Sequence, residues 1–285
     1  YIIDAARVKA GGPVAPDKGK TLALALGLGL ILPLGFVLLR DMFNNRIMDL
    51  DEVKRLSPIP VLSTIPASKQ ARIKSLEDRS ALAEAFRTAR INLQYLNANK
   101  DRQVVGITSS ASGEGKTFCA VNLATVMALG NKRTLLMDAD MRKPKMHERF
   151  GMELGTGLST YLIGEAGIHA IVRRSDVEGL DLIMAGPVPP NPLELFESPR
   201  MAELLQQLRG RYDQIIVDAS PMGLVSEFKV LVQHLDITLY VVRQGYTRRP
   251  MLRPVNDLFR SGKLEHIDLL FNGVKAGDGY GYVYE

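Results

Sequence analysis

Lys116 and Thr117 stand directly after Gly113, Glu114 and Gly115, at the end of the stretch QVVGITSSASGEGKT over 103–117. Small residues there let backbone N–H groups curl around phosphate oxygens, and the start of a following helix adds positive potential. The Lys116 ammonium can reach outer phosphates, and the Thr117 hydroxyl can bind a magnesium ion. With Ser112 before them and Phe118 after them, these residues read as a nucleotide-binding loop. The usual pattern has a glycine five residues before the last one, and here that position is Ser110. Two carboxylates follow, Asp138 and Asp140, two apart, so an extended chain points both to one side. A third, Asp218, ends the apolar run Ile215, Ile216, Val217. A carboxylate there is costly unless it faces a cation or a hydrogen-bonded water, which fits an acid of a magnesium site.

The elements that must position these groups are legible around them. Val104, Val105, Gly106 and Ile107 form a short apolar strand, and Phe118 to Leu129 continue as a helical pattern. Apolar strands recur at Arg133–Asp138, Leu180–Ala185, Gln214–Asp218, Ile237–Val242 and Ile267–Phe271, with helical patterns near 199–209, 226–235 and 251–261. Strands alternating with helices predict an α/β fold of the phosphate-loop NTPase type, a mostly parallel sheet with helices on both faces. In such a sheet the ligand crevice lies at the carboxyl ends of the strands, where the three acids fall.

The rest of the chain adds organisation. The run Thr21–Leu39 carries no charge and would span about 28 Å as a helix, enough for a bilayer core. The expected division is an extracytoplasmic segment over 1–20, a transmembrane helix over 21–40, a juxtamembrane linker over 41–79, the phosphate-loop domain over 80–276 and a flexible tail over 277–285. Flanking charge does not orient the helix, since Lys18 and Lys20 on one side face Arg40 and Arg46 on the other. The need for ATP places the phosphate loop on the cytoplasmic side of an inner (plasma) membrane. From Ser80, a helix is predicted with Leu82, Phe86, Ala89, Leu93 and Leu96 on its apolar face. Beside that face run Glu84, Arg87 and Arg90, either a solvated edge or a subunit contact.

Bulk properties exclude several classes. The net charge of +5 in 285 residues is too weak to argue for nucleic acid, and no base-reading motif is present. The single cysteine, Cys119, excludes an internal disulfide and a cysteine-based zinc site. The basic cluster Arg142, Lys143, Lys145 suits phosphate, an acidic partner or plain solubility. The chain closes on Tyr280, Tyr282 and Tyr284 among glycines and acids, in a segment whose glycines disfavour a strand.

Together these features resemble the bacterial tyrosine kinase (BY-kinase) family, the kinase parts of the polysaccharide co-polymerases that control capsule and exopolysaccharide export. The resemblance rests on the membrane helix, ASGEGKT, LLMDADMR, IIVDAS, GPVPPNPLELF, the Glu84, Arg87, Arg90 spacing and the tyrosine tail. Ala111 stands where partition-type ATPases of the same superfamily carry a lysine, which fits the kinase branch. The eukaryotic-type HRD and DFG signatures are absent. The tail holds three clustered tyrosines, fewer than many family members carry, and Tyr246 is an upstream candidate acceptor.

The resemblance implies an ATP- and magnesium-dependent tyrosine autokinase. Lys116, Asp138, Asp140 and Asp218 would be catalytic, with Asp138 as base, and Thr117, Asp140 and Asp218 would hold the metal. Asn272 would sit near adenine. Tyr280, Tyr282 and Tyr284 of one subunit would be phosphorylated by the next, in a ring, an octamer in the family, joined through Glu84, Arg87 and Arg90. Partners would be the polysaccharide polymerisation and export machinery and a tyrosine phosphatase. Phosphates on the tail would repel it from the acidic metal site and loosen the ring. The competing reading is a membrane-anchored ATPase that acts as an assembly switch without kinase activity.

Overall fold

The computed structural model describes residues 17–42, 44–96, 102–222 and 227–275. Tyr280, Tyr282 and Tyr284 lie outside them, as do residues 1–16. The chain divides into two compact units, 1–45 and 46–285. In the first, a helix spans Lys18–Met42. Its stretch Lys18–Phe36 is long and apolar enough to cross a membrane, and Leu24, Leu30 and Phe36 on it are exposed.

The second unit is built on eight strands: β1 (Val61–Pro66), β2 (Gln103–Ser109), β3 (Thr134–Ala139), β4 (Val172–Arg174), β5 (Leu180–Ile183), β6 (Gln214–Ala219), β7 (Ile237–Arg243) and β8 (Ile267–Val274). They form one sheet in the order β1-β8-β7-β2-β6-β3-β5-β4. All neighbours pair in parallel except β4, which runs antiparallel to β5. The expected mostly parallel α/β sheet is therefore present.

Alternation along the strands builds a core on each face. Val104, Leu135, Met137, Ile215 and Val217 pack on one side. Val105, Ile107, Leu136, Ile216 and Leu239 pack on the other, against the helix Lys116–Leu129. That helix is apolar all round because a second helix, Ala81–Leu96, covers its outer side, with Phe86 edge-on to Phe118 at a 6.0 Å centroid distance. Ser80 caps the second helix through a bond from the Ala83 N–H at 3.2 Å. Leu82, Phe86, Ala89 and Leu93 are buried as expected, whereas Leu96 at the last turn is half exposed.

The stretch expected as a linker differs from that reading from Arg46 onward. Asp49 caps a helix at Leu50–Leu56, and Glu52 reaches back to the Met48 N–H. β1 then joins the sheet beside β8, and Ile47, Val53, Ile59 and Ile65 are buried. The proline punctuation of this segment hides a strand of only six residues that is stable because β8 supplies its ladder. Residues 46–48 also pair with the turn after β7, the Ile47 N–H donating to Thr247 O at 2.9 Å and the Gly245 N–H to Ile47 O at 2.8 Å.

Candidate functional site

The central strand β2 lies between β7 and β6, and its carboxyl end opens into the loop 110–115. Gly113 and Gly115 have φ values of 92° and 97°, a left-handed backbone that other residues rarely adopt. A Cβ at Gly113 would press on the Tyr246 hydroxyl, and one at Gly115 on the Asn272 amide. The loop then enters the helix at Lys116.

The loop is held from outside at consecutive acceptors. Ser109 Oγ donates to Ala111 O at 2.8 Å, Tyr246 Oη to Ser112 O at 2.9 Å, Arg243 Nη1 to Gly113 O at 2.7 Å, and Asn272 Nδ2 to Glu114 O at 2.9 Å. These four bonds tie the loop's carbonyls in place. The Glu114 side chain is fully buried beneath the loop. Its carboxylate accepts from Ser110 Oγ at 2.6 Å, from the Ala111 N–H at 2.7 Å and from the Thr247 hydroxyl. Ser110, at the missing-glycine position, is thus a partner of Glu114.

Three acids converge on Lys116. Its Nζ donates to Asp140 Oδ2 at 2.7 Å and stands 3.7 Å from Asp218 Oδ1. The Asp140 N–H donates to Asp138 Oδ1 at 3.1 Å. Asp138 and Asp218 are paired across β3 and β6, on the face that carries Leu136 and Ile216. Burial first, then the charge of Asp218, holds the Asp138 carboxyl well above the usual range. Burial also raises Asp218, although Lys116 opposes it. For Lys116, burial pushes the ammonium down, but Asp218 and Asp140 outweigh that and the net shift is upward.

Among the described residues no three His, Cys, Asp or Glu side chains converge as metal ligands. The chemistry still suits magnesium bound beside a phosphate. Asp138 Oδ2 and Asp218 Oδ1 are buried acceptors without a hydrogen-bond partner, and the cation between the acids is the Lys116 ammonium. A nucleotide would draw Lys116 to its phosphates, and phosphate oxygens with the Thr117 hydroxyl would complete an oxygen shell.

Above the loop is a cavity of about 660 Å³. Ser112, Gly113, Gly115, Lys116, Thr117, Phe118, Asp140 and Asn272 line it, while Glu114 lies below. Asn272 also serves the loop directly. The sequence reading missed Arg243 and Thr247, whose signal was a polar cluster at the end of an apolar strand. It also missed the wall from Pro66 to Ala71, which β1 delivers by joining the sheet. Glu84 is exposed and ion-paired with Arg87, which also donates to Leu76 O at 2.7 Å and Asp78 O at 2.8 Å. Arg90 donates to Val126 O at 3.3 Å. Both arginines therefore have partners within the chain.

An AAA domain model matches residues 102–233. The chain is similar to the tyrosine-protein kinase YwqD of Bacillus subtilis, 34% identical over 74% of this chain and 90% of that protein. It is 29% identical to the tyrosine-protein kinase ptk of Acinetobacter johnsonii over 94% of its own length but only 39% of the relative's, so it spans about two fifths of that protein. Among solved structures, the kinase domain of the Escherichia coli tyrosine kinase ETK superposes with a TM-score of 0.71 at 29% identity, covering 80% of this chain and 95% of that one.

Proposed function

The chain belongs to the bacterial tyrosine-protein kinase family, and we propose that it moves the γ-phosphoryl group of ATP to tyrosines of neighbouring copies of itself. The observation that carries this reading is the convergence of Lys116 with Asp138, Asp140 and Asp218 at the mouth of the loop. Lys116 and the loop N–H groups would hold the outer phosphates. Thr117, Asp140 and Asp218 would hold magnesium, directly or through water, and the bound ion would neutralise charge on the phosphates. The tyrosine oxygen bonds to the γ-phosphorus as the bond to the β–γ bridging oxygen breaks and ADP leaves. A tyrosine hydroxyl has a pKa near 10, so its proton must go to a base, and Asp138 would take it.

The acceptors would be Tyr280, Tyr282 and Tyr284 of an adjacent subunit in a membrane-bound ring, with Glu84, Arg87 and Arg90 at the contact. The apolar helix would anchor the ring, and its output would be control of capsule or exopolysaccharide polymerisation and export. A phosphatase would reset the tail. Incubation with magnesium-ATP and detection of phosphotyrosine tests the core of this proposal. ATP hydrolysis with no phosphate on any tyrosine would leave the membrane-anchored ATPase instead. Mixing a Lys116→Met chain with an active chain lacking the tail tests transfer between subunits, since only transfer labels the inactive chain. For the ring, Arg87→Ala with Arg90→Ala is expected to lower the sedimentation mass below the melting temperature, and an unchanged mass would remove that role.

A further inference from the structure

The basic cluster after β3 divides in two. Arg142 turns to the buried Glu227, its Nε donating to Oε1 at 2.7 Å. Lys143, Lys145 and Arg149 instead line the cavity above the phosphate loop. Lys69, after β1, and Lys275, after β8, line the same cavity. All five are exposed, and among the described residues none of them is in an ion pair. Against them the lining holds two acids, Glu148 and the Asp140 already bonded to Lys116. On the kinase reading Lys116 and the loop N–H groups would serve a nucleotide's phosphates. Cations at the mouth are in excess of that need and face whatever enters after the nucleotide.

Resting on the kinase reading, we infer that this rim selects the acceptor, and that the site takes tyrosines flanked by Asp and Glu and rejects tyrosines flanked by Lys and Arg. Unpaired cations around a low-dielectric crevice focus positive potential, which raises the capture of acidic segments and costs basic ones a like-charge contact. The chain's own closing segment has this character, with Asp278 and Glu285 beside the tyrosines and no basic residue from Gly277 onward.

The test uses the full chain with magnesium-ATP and two synthetic peptides of equal length, each with one tyrosine, one flanked by glutamates and one by lysines. The acidic peptide is expected to have a kcat/KM about tenfold or more above the basic one at low salt, and the ratio is expected to shrink as salt rises. Lys145→Glu with Arg149→Glu should drop the ratio toward one or below. Lys145→Gln with Arg149→Gln should move it the same way by less and guards against misfolding of the first variant. A ratio taken on one enzyme cancels any change in nucleotide handling. Equal rates on the two peptides, or a ratio that neither variant moves, overturns the inference and leaves the kinase standing. No phosphate on any tyrosine, peptide or chain, overturns the kinase reading and this inference with it.

Discussion

Asp138 on β3 and Asp218 on β6 are direct partners in the parallel register, and both carboxyls are closed off from solvent. Neighbouring strand ends thus hold two like-charged groups side by side, and burial with that repulsion favours a proton or a cation on the pair. The site is strained electrostatically before a nucleotide arrives.

Asp138→Asn replaces the carboxyl whose ionisation the site opposes by a neutral group of nearly the same shape. The nucleotide-free variant is expected to melt higher at neutral pH, by about 2–4 °C for each kcal/mol relieved. Transfer to tyrosine is expected to fall roughly 10²- to 10⁴-fold, the usual worth of a general base. Thermal denaturation and single-turnover labelling check both halves, and retained labelling would remove Asp138 as the base.

Lys116→Met takes away the cation that the acids share. Labelling on tyrosine is expected to fall at least about 10²-fold, as for other charge-stabilising groups. The melting temperature is expected to drop at neutral pH, because the buried acids lose their partner. The drop should be smaller in acid, where a proton replaces the ammonium. A variant that melts as the parent does at both pH values would contradict the pairing seen here.

Glu114 gives the loop its shape rather than touching the phosphates through its side chain. Glu114→Ala leaves the Ser110 hydroxyl, the Ala111 N–H and the Thr247 hydroxyl without their acceptor, at about 1–3 kcal/mol for each buried group. Nucleotide affinity is expected to fall by roughly an order of magnitude or more on that scale. Thr247→Val, which removes one donor, should lie between the parent and Glu114→Ala. Fluorescent-nucleotide titration gives the order, and a Thr247→Val chain weaker than Glu114→Ala would refute it.

Asp268 on β8 carries a carboxyl that burial lifts to about 6. The unfolded chain holds the same proton with an ordinary pKa near 3.9. The folded state therefore binds the proton more tightly, and its stabilising contribution is full below about pH 4 and lost as pH rises through 6. The melting temperature of Asp268→Asn relative to the parent is expected to climb across that window and then level off. A difference that stays flat from pH 4 to pH 7 would show that Asp268 is not a source of pH dependence.

Much of the site was legible because its chemistry is local. The loop, the acid pair around Ala139 and the acid ending β6 each sit beside their own strand, so pattern and spacing were enough. The contacts that shape the loop were not legible in that way. Tyr246 reaches Ser112 and Thr247 reaches Glu114 across more than a hundred residues, and only the order of β7 beside β2 brings them together. The edge strand β1 was obscured for a similar reason, since its partner β8 lies at the far end of the chain. The short antiparallel β4 has three residues, too few for any periodic signal.

The turn after β7 faces two ways. On one side its Tyr246 and Thr247 hold Ser112 and Glu114 of the phosphate loop; on its other side it is bonded to Ile47 and Met48, with Gln244 Nε2 donating to Met48 O at 2.6 Å and Arg46 Nη1 to Gly245 O at 2.9 Å. Residues 46–48 follow directly on the unit that carries the apolar helix. The phosphate loop and residues 46–48, more than sixty positions apart in sequence, thus share one turn as their common support.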